Sequence, residues 1–266
     1  MGIENYINEI HTNGFTILKS VIDPSKVNEI KSKIVELNTK VKKPDIKHSP
    51  RLNKGSKILY NPEMKSRLFS KTIFSISDLK LILMHFLNDK WYKQIPPNKP
   101  NYILRAMIAR SSLNEKLPMH IDSFIPSKGK YSFVMQSALI LDDQNENNGC
   151  TIVVPGSHLY DEYATQESLA NAIPIISSAG DLVIWDSRLW HGAIENNSKK
   201  DRWSLISTFT RWWIKQNYQI TNELPKDIYD DLSTEEKTIM GFCCSPPRDE
   251  YERIDIKAGY EILKID

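Results

Sequence analysis

Apolar residues recur at steps of three and four at Val27, Ile30, Ile34 and Leu37, the stripe of an amphipathic helix. Asp23 stands where the N-cap belongs and Pro24 suits the first helical position, so the pattern places the helix start there. Upstream, Phe15-Thr16-Ile17-Leu18 follows Asn13-Gly14 and predicts a short strand after a turn. A second helical stripe, Leu79, Ile82, Leu83, Phe86 and Leu87, predicts a helix from about Ser77. Between the two, residues 42–57 are basic, carry Pro44, Pro50 and Gly55, and read as a loop.

From about Tyr102 the period changes. Short apolar runs at 103–109, 132–141, 150–154, 181–185 and 203–210 are separated by turn residues such as Asn148-Gly149, Pro155-Gly156 and Gly180-Asp181. Their length and their Ile, Val, Thr and Trp content predict strands. Many short strands so punctuated predict a β-sandwich or barrel, here a double-sheet jelly roll. The polar tail carries one predicted helix, after Ser233. The expected architecture is mainly β with flanking helices, as one domain over 1–266: a mainly helical part over 1–100, a jelly-roll core over 101–215 and a C-terminal extension over 216–266.

Composition narrows the function classes. Lys and Arg total 35 against 33 Asp and Glu, a formal net charge of +2. So balanced a chain predicts neither a nucleic-acid nor a membrane partner. No apolar run approaches the roughly 20 residues of a membrane span. The start of the chain has no basic and apolar leader pattern, and Tyr6 stands where a myristoylation motif needs Ser or Thr. Three cysteines, Cys150, Cys243 and Cys244, form no CxxC pair and are too few for a disulfide framework. A reducing, cytoplasmic setting is the expectation. Oligomeric state is not readable from the chain.

The candidate chemistry lies in the histidines. Of six, His120 opens the triplet His120-Ile121-Asp122. In extended backbone, residues two apart share a face, so both side chains reach one metal. His191 follows the strand-like run after Gly180 and returns to the pair if that run folds back. Two imidazoles and one carboxylate form the facial triad of non-haem iron(II) oxygenases, which leaves three coordination positions open. Alone, the triplet also fits a surface pair near a turn, and His191 fits a buried core histidine. Arg202, eleven residues past His191, adds a third element: an inward arginine clamps a carboxylate with two parallel bonds.

Four stretches together resemble the phytanoyl-CoA dioxygenase-like branch of the 2-oxoglutarate oxygenases. They are Pro118 to Asp122, Asn148 to His158, Gly180 to Gly192, and Asn196 to Arg202, within a similarity running from about Gly14 to Trp213. The resemblance implies a double-stranded β-helix (jelly-roll, cupin-like) core. It implies Fe(II) on His120, Asp122 and His191, with 2-oxoglutarate and O2 as cosubstrates, and Arg202 on the distal carboxylate. By position it puts further cosubstrate contacts near Met107 and Ala138, with Lys57 as a looser match. Two residues past the distal histidine, where the family often has a hydroxyl, this chain has Ala193. The family's Pro-Gly-Ser-His segment makes His158 structural. The implied reaction is hydroxylation of a small-molecule metabolite with release of succinate and CO2.

Arg105, Arg110, Gln136 and Arg211 fall on or next to predicted strands, where they either face the pocket and bind an anionic or polar substrate or point outward. Asn196-Asn197-Ser198 matches a glycosylation sequon, which has no meaning without secretion. Two rivals stay open: a metal-dependent cupin enzyme that does not use 2-oxoglutarate, and a jelly-roll binding protein without catalysis.

Overall fold

The computed structural model describes residues 2–40, 57–112, 116–123, 125–247, 249–251, 260–261 and 263. The loop expected over 42–57 lies outside these residues, apart from Lys57.

The chain begins with α1 (Ile3–Asn13), β1 (Phe15–Leu18) and α2 (Pro24–Lys40). Gly14 ends α1 at φ 86 and donates its N–H to Ile10. A Cβ there would sit 2.7 Å from the His158 ring and from Leu189, so both conformation and space require glycine. Asp23 caps α2 as predicted, its carboxylate accepting the Lys26 N–H at 2.9 Å. Val27, Ile30 and Ile34 are its buried face.

Next come β2 (Lys57–Tyr60), α3 (Arg67–Phe74) and α4 (Ser77–Leu87). Lys57 opens a strand, which corrects the expectation of a loop; Lys57-Ile58-Leu59-Tyr60 is four residues long, too short to stand out beside the basic stretch before it. The core strands are β3 (Tyr102–Ser112), β4 (Leu117–His120), β5 (Val134–Ile140), β6 (Thr151–Val153), β7 (Ile173–Pro174), β8 (Leu182–Asp186), β9 (His191–Ala193) and β10 (Arg202–Arg211). Short helices α5 (Ile220–Glu223), α6 (Lys226–Asp230) and α7 (Thr234–Ile239) follow. The last is the predicted one, opened by a capping box between Ser233 and Glu236.

The strands form two antiparallel sheets. One has the order β1-β8-β5-β10-β3-β2, the other β4-β9-β6-β7. The helices cover the outer face of the large sheet: residues of α1 to α4 share one apolar core with Leu104, Met107, Met135, Leu139, Leu205 and Phe209. A second apolar cluster lies between the sheets, with Ala138, Ile140, Val183 and Trp185 from the large sheet and Val153 from the small one. Mainly β with flanking helices, in a two-sheet jelly roll, is therefore the observed class.

Candidate metal and cosubstrate site

β4 and β9 pair with His120 opposite His191. Gly192 makes this possible, because a Cβ there would lie 2.7 Å from the Leu117 carbonyl oxygen. Asp122 lies beyond the end of β4, in a bend. The alternation of extended backbone is thus not what aims it. Instead the N–H groups of Asp122 and Ser123 both donate to the Ser187 carbonyl, at 2.8 and 3.0 Å.

The three side chains converge. Asp122 Oδ1 is 3.6 Å from His120 Nε2, and Oδ2 is 3.3 Å from His191 Nε2. Donor atoms of the three residues lie within 4.8 Å of one another. Ligands at right angles, each about 2.1 Å from a metal, stand about 3.0 Å apart, so the two carboxylate–imidazole pairs need only a small contraction. Both imidazoles are oriented alike. His120 Nδ1 is 2.8 Å from the Pro118 carbonyl and His191 Nδ1 is 2.9 Å from the Leu189 carbonyl. A carbonyl only accepts, so each Nδ1 carries the proton and each Nε2 keeps a lone pair for a metal. Burial pushes the Asp122 carboxyl up, but His191 and His120 together outweigh it and hold the group well below the usual carboxylate range. Burial likewise lowers the His191 imidazolium, and Asp122 outweighs it to raise that group.

The inner face of the large sheet is layered. Cross-strand register puts Arg202 opposite Ser112, then Ser204 between Arg110 and Ile140. The next row is Ile108, Ile206, Ala138 and Val183. The row after that is Ala106, Thr208, Gln136 and Trp185, and the Trp185 ring is 5.6 Å from that of His191.

Arg202 is buried at 7 % exposure and donates from Nη2 to Ser112 Oγ at 3.3 Å, while its Nε has no partner. Burial pulls its guanidinium down to about 10, Arg110 adding to the effect and Cys150 and Asp142 opposing it. A buried cation with an orphaned donor is unfavourable until an anion supplies the acceptor.

The other predicted residues divide. Gln136 and Arg105 are on the inner face; Arg105 is buried and within electrostatic reach of Asp122. Ala138 is in the apolar row and Ala193 is on β9. Three assignments are corrected. Met107 is fully buried in the helix-side core, since alternation along β3 turns it away from the inner residues Ile108 and Arg110. Lys57 pairs with Asp201 at 2.6 Å, and Asp201 also accepts from Ser111 on that outer side. Arg211 donates to the Phe86, Leu87 and Asn88 carbonyls at the end of α4 and to Ser132, which makes it a helix C-cap. His158 is buried against Gly14 and is outside the triad. The sequon Asn196 is fully buried, its amide donating to Ser112 and Lys200 carbonyls.

One supporting pair escaped sequence reasoning. Arg188 grips Asp186 with Nε to Oδ1 at 2.9 Å and Nη2 to Oδ2 at 2.8 Å, both residues buried, and Ser132 donates to the same carboxylate. This fixes the turn that carries the Ser187 carbonyl and leads into His191. Opposite charges two residues apart at the end of an apolar run were the available signal.

Comparison with known proteins agrees with this geometry. An uncharacterized protein of Mycobacterium tuberculosis is 27% identical over 188 residues, 69% of this chain and 64% of that protein. The dioxygenase olcK of Penicillium canescens is 27% identical over 168 residues, 60% of this chain and 54% of that one. The chain thus spans less than two thirds of the length of these curated relatives. Among solved structures, HygX of Streptomyces hygroscopicus with nickel and 2-oxoglutarate bound has a TM-score of 0.62 at 14% identity, covering 80% of this chain and 88% of that one. The non-heme alpha ketoglutarate dependent epimerase SnoN from nogalamycin biosynthesis has a TM-score of 0.60 at 18% identity, covering 79% and 82%. The profile of the family Phytanoyl-CoA dioxygenase (PhyH) matches residues 10–204. With that span matched, the chain belongs to the phytanoyl-CoA dioxygenase family.

Proposed function

We propose that the protein is an Fe(II)- and 2-oxoglutarate-dependent dioxygenase that hydroxylates a small-molecule metabolite. The observation that carries this reading is the pairing of an open two-histidine, one-carboxylate set, its histidines on the small sheet, with a buried, under-bonded Arg202 on the inner face of the large one. Iron bound by His120, Asp122 and His191 would supply O2 activation coupled to oxidative decarboxylation of 2-oxoglutarate. One oxygen atom of O2 enters succinate, the other enters the substrate as hydroxyl, and CO2 leaves.

The residues supply the rest. Three protein ligands leave room for a bidentate 2-oxo acid and for O2. Arg202 binds the distal carboxylate, gaining the acceptor its Nε lacks. Pro118 and Leu189 carbonyls hold the imidazoles in the metal-binding tautomer. The apolar row of Ile108, Ile206, Ala138 and Val183 keeps the inner wall dry. A cupin enzyme without 2-oxoglutarate, or a binding protein without catalysis, has no use for Arg202 in this state. Two fold neighbours are solved with 2-oxoglutarate and a small molecule, nogalamycin RO in one and hygromycin B in the other, which supports a small-molecule substrate here.

The test is the anaerobically iron-loaded protein with labelled 2-oxoglutarate. O2-dependent release of succinate and CO2 in equal amounts supports the reading. No 2-oxoglutarate turnover with iron bound, across a metabolite panel, contradicts it.

A further inference from the structure

His120 and His191 are each placed by strand pairing and by a ring bond to a carbonyl. Asp122 has neither aid, since it lies past the end of β4 in a bend. Its carboxylate meets the two imidazoles with which it would share a metal. Where that carboxylate stands is therefore decided by the backbone that carries it, from Asp122 to the start of β5.

This stretch contains no helix or strand among its described residues, yet it is fastened along its length. The fastening comes from three consecutive residues, Asp186, Ser187 and Arg188, in the turn before His191. The Ser187 carbonyl accepts the Asp122 and Ser123 N–H groups, and the Ser187 N–H donates to the Val134 carbonyl at 3.1 Å. Arg188 Nη1 donates to the Ser127 and Gly129 carbonyls, at 3.0 and 2.8 Å. Ser132 Oγ donates to Asp186 Oδ2.

Within this set Arg188 does what no other residue does. Its Nε and Nη2 hold Asp186 while Nη1 holds the two carbonyls, so one planar fork ties the chain after Asp122 to the chain before His191. Arg188 and Asp186 are both buried, which keeps water from competing for these bonds. An ion pair so buried gains little over apolar packing of the same volume, so stability alone does not account for it.

We propose that Arg188 is a positioning residue for the metal site: by holding Ser127 and Gly129 against the 186–188 turn, it aims the Asp122 carboxylate at the two imidazoles. This rests on the oxygenase reading, in which the triad holds iron, and adds a group that acts through Asp122 without touching the metal. The histidines keep their strand pairing and ring bonds without it.

The test uses the full chain with Mn(II) or Co(II) alone as the probe. The double variant Arg188→Met with Asp186→Asn removes the charge pair as a unit, refills the space and takes away the donors to Ser127 and Gly129. Its Mn(II) dissociation constant, read from the free-ion EPR signal, should rise about tenfold to a hundredfold. At saturating Co(II), its visible spectrum should approach that of Asp122→Ala, a site of two imidazoles, which a general loosening of the fold would not produce. Arg188→Lys keeps a charge for Asp186 but cannot reach both carbonyls, so its affinity should fall between wild type and the double variant. Circular dichroism and urea midpoints check folding, and if the double variant does not fold, Arg188→Lys decides on the same two readings. An Mn(II) affinity within about twofold of wild type in the deciding variant, or a wild-type Co(II) spectrum, overturns the proposal. Failure of the wild-type protein to bind either metal counts instead against the oxygenase reading.

Discussion

His120 and His191 are held in the same way, each through Nδ1 to a carbonyl two residues back. Removing either, or Asp122, leaves two donors for a metal that needs three. We expect His120→Ala, Asp122→Ala and His191→Ala each to lose iron and turnover while the protein stays folded. His158→Ala should retain iron, since His158 packs against Gly14 away from the triad. Metal analysis of the purified variants decides; iron lost with His158 and kept without His191 would reverse the assignment. Arg202→Ala removes a buried partner of a carboxylate, a loss of about 2–5 kcal/mol. The half-saturating 2-oxoglutarate concentration should rise well over tenfold, with Arg202→Lys restoring part of it. An unchanged requirement would move the role elsewhere. At this scale the HxD triplet and the distal histidine were legible because ligand type and spacing carry the chemistry. The roles of Met107, Lys57 and Arg211 were not, because side-chain direction in a long strand depends on register and a bulge that spacing does not reveal.

The triad depends on two devices at the level of elements. β4 and β9 approach because Gly192 has no side chain. Gly192→Ala places a methyl 2.7 Å from the Leu117 carbonyl and must push the strands apart. Iron affinity should fall at least about tenfold, as displaced ligands and supports typically cost in metal sites; a titration showing normal affinity would mean that the strands yield without moving the histidines. The buried Arg188–Asp186 pair fixes the turn between β8 and β9. Arg188→Ala strands a buried carboxylate and should destabilise the fold by about 3–5 kcal/mol in urea unfolding. The double variant Arg188→Met with Asp186→Asn should recover part of that loss. The long strands β3, β5, β8 and β10 and the helices α2 and α4 were readable from period and caps. β4 and β9 were not: Leu117–His120 and His191–Ala193 are too short, and one contains glycine, for period to register.

Among the described residues, Glu63 is a buried acidic group away from the triad. Glu63 is fully buried, both carboxylate oxygens lack partners, and burial pushes its pKa up to about 8. The folded state therefore prefers the protonated acid. Its contribution to stability is complete below the ordinary value of 4.5 and is lost as pH rises through about 8. Glu63→Gln, neutral at every pH, should leave stability near wild type at acid pH and exceed it above pH 8; urea midpoints on both sides of the transition check this, and parallel pH profiles would contradict it. Two-sheet topology was legible in the alternation of short strands and turns, while the burial of Glu63, in a short turn after β2, depends on packing that sequence does not show. The central claim joins the triad to Arg202 around Fe(II) and 2-oxoglutarate. The most direct measurement is an anaerobic titration of the iron-loaded protein with 2-oxoglutarate, followed by visible absorption. A bidentate 2-oxo acid on Fe(II) gives a weak charge-transfer band. The account predicts that the band saturates with wild type, needs far more 2-oxoglutarate with Arg202→Ala, and is absent with His191→Ala; an iron-loaded wild type that binds 2-oxoglutarate without the band, or does not bind it, would contradict it.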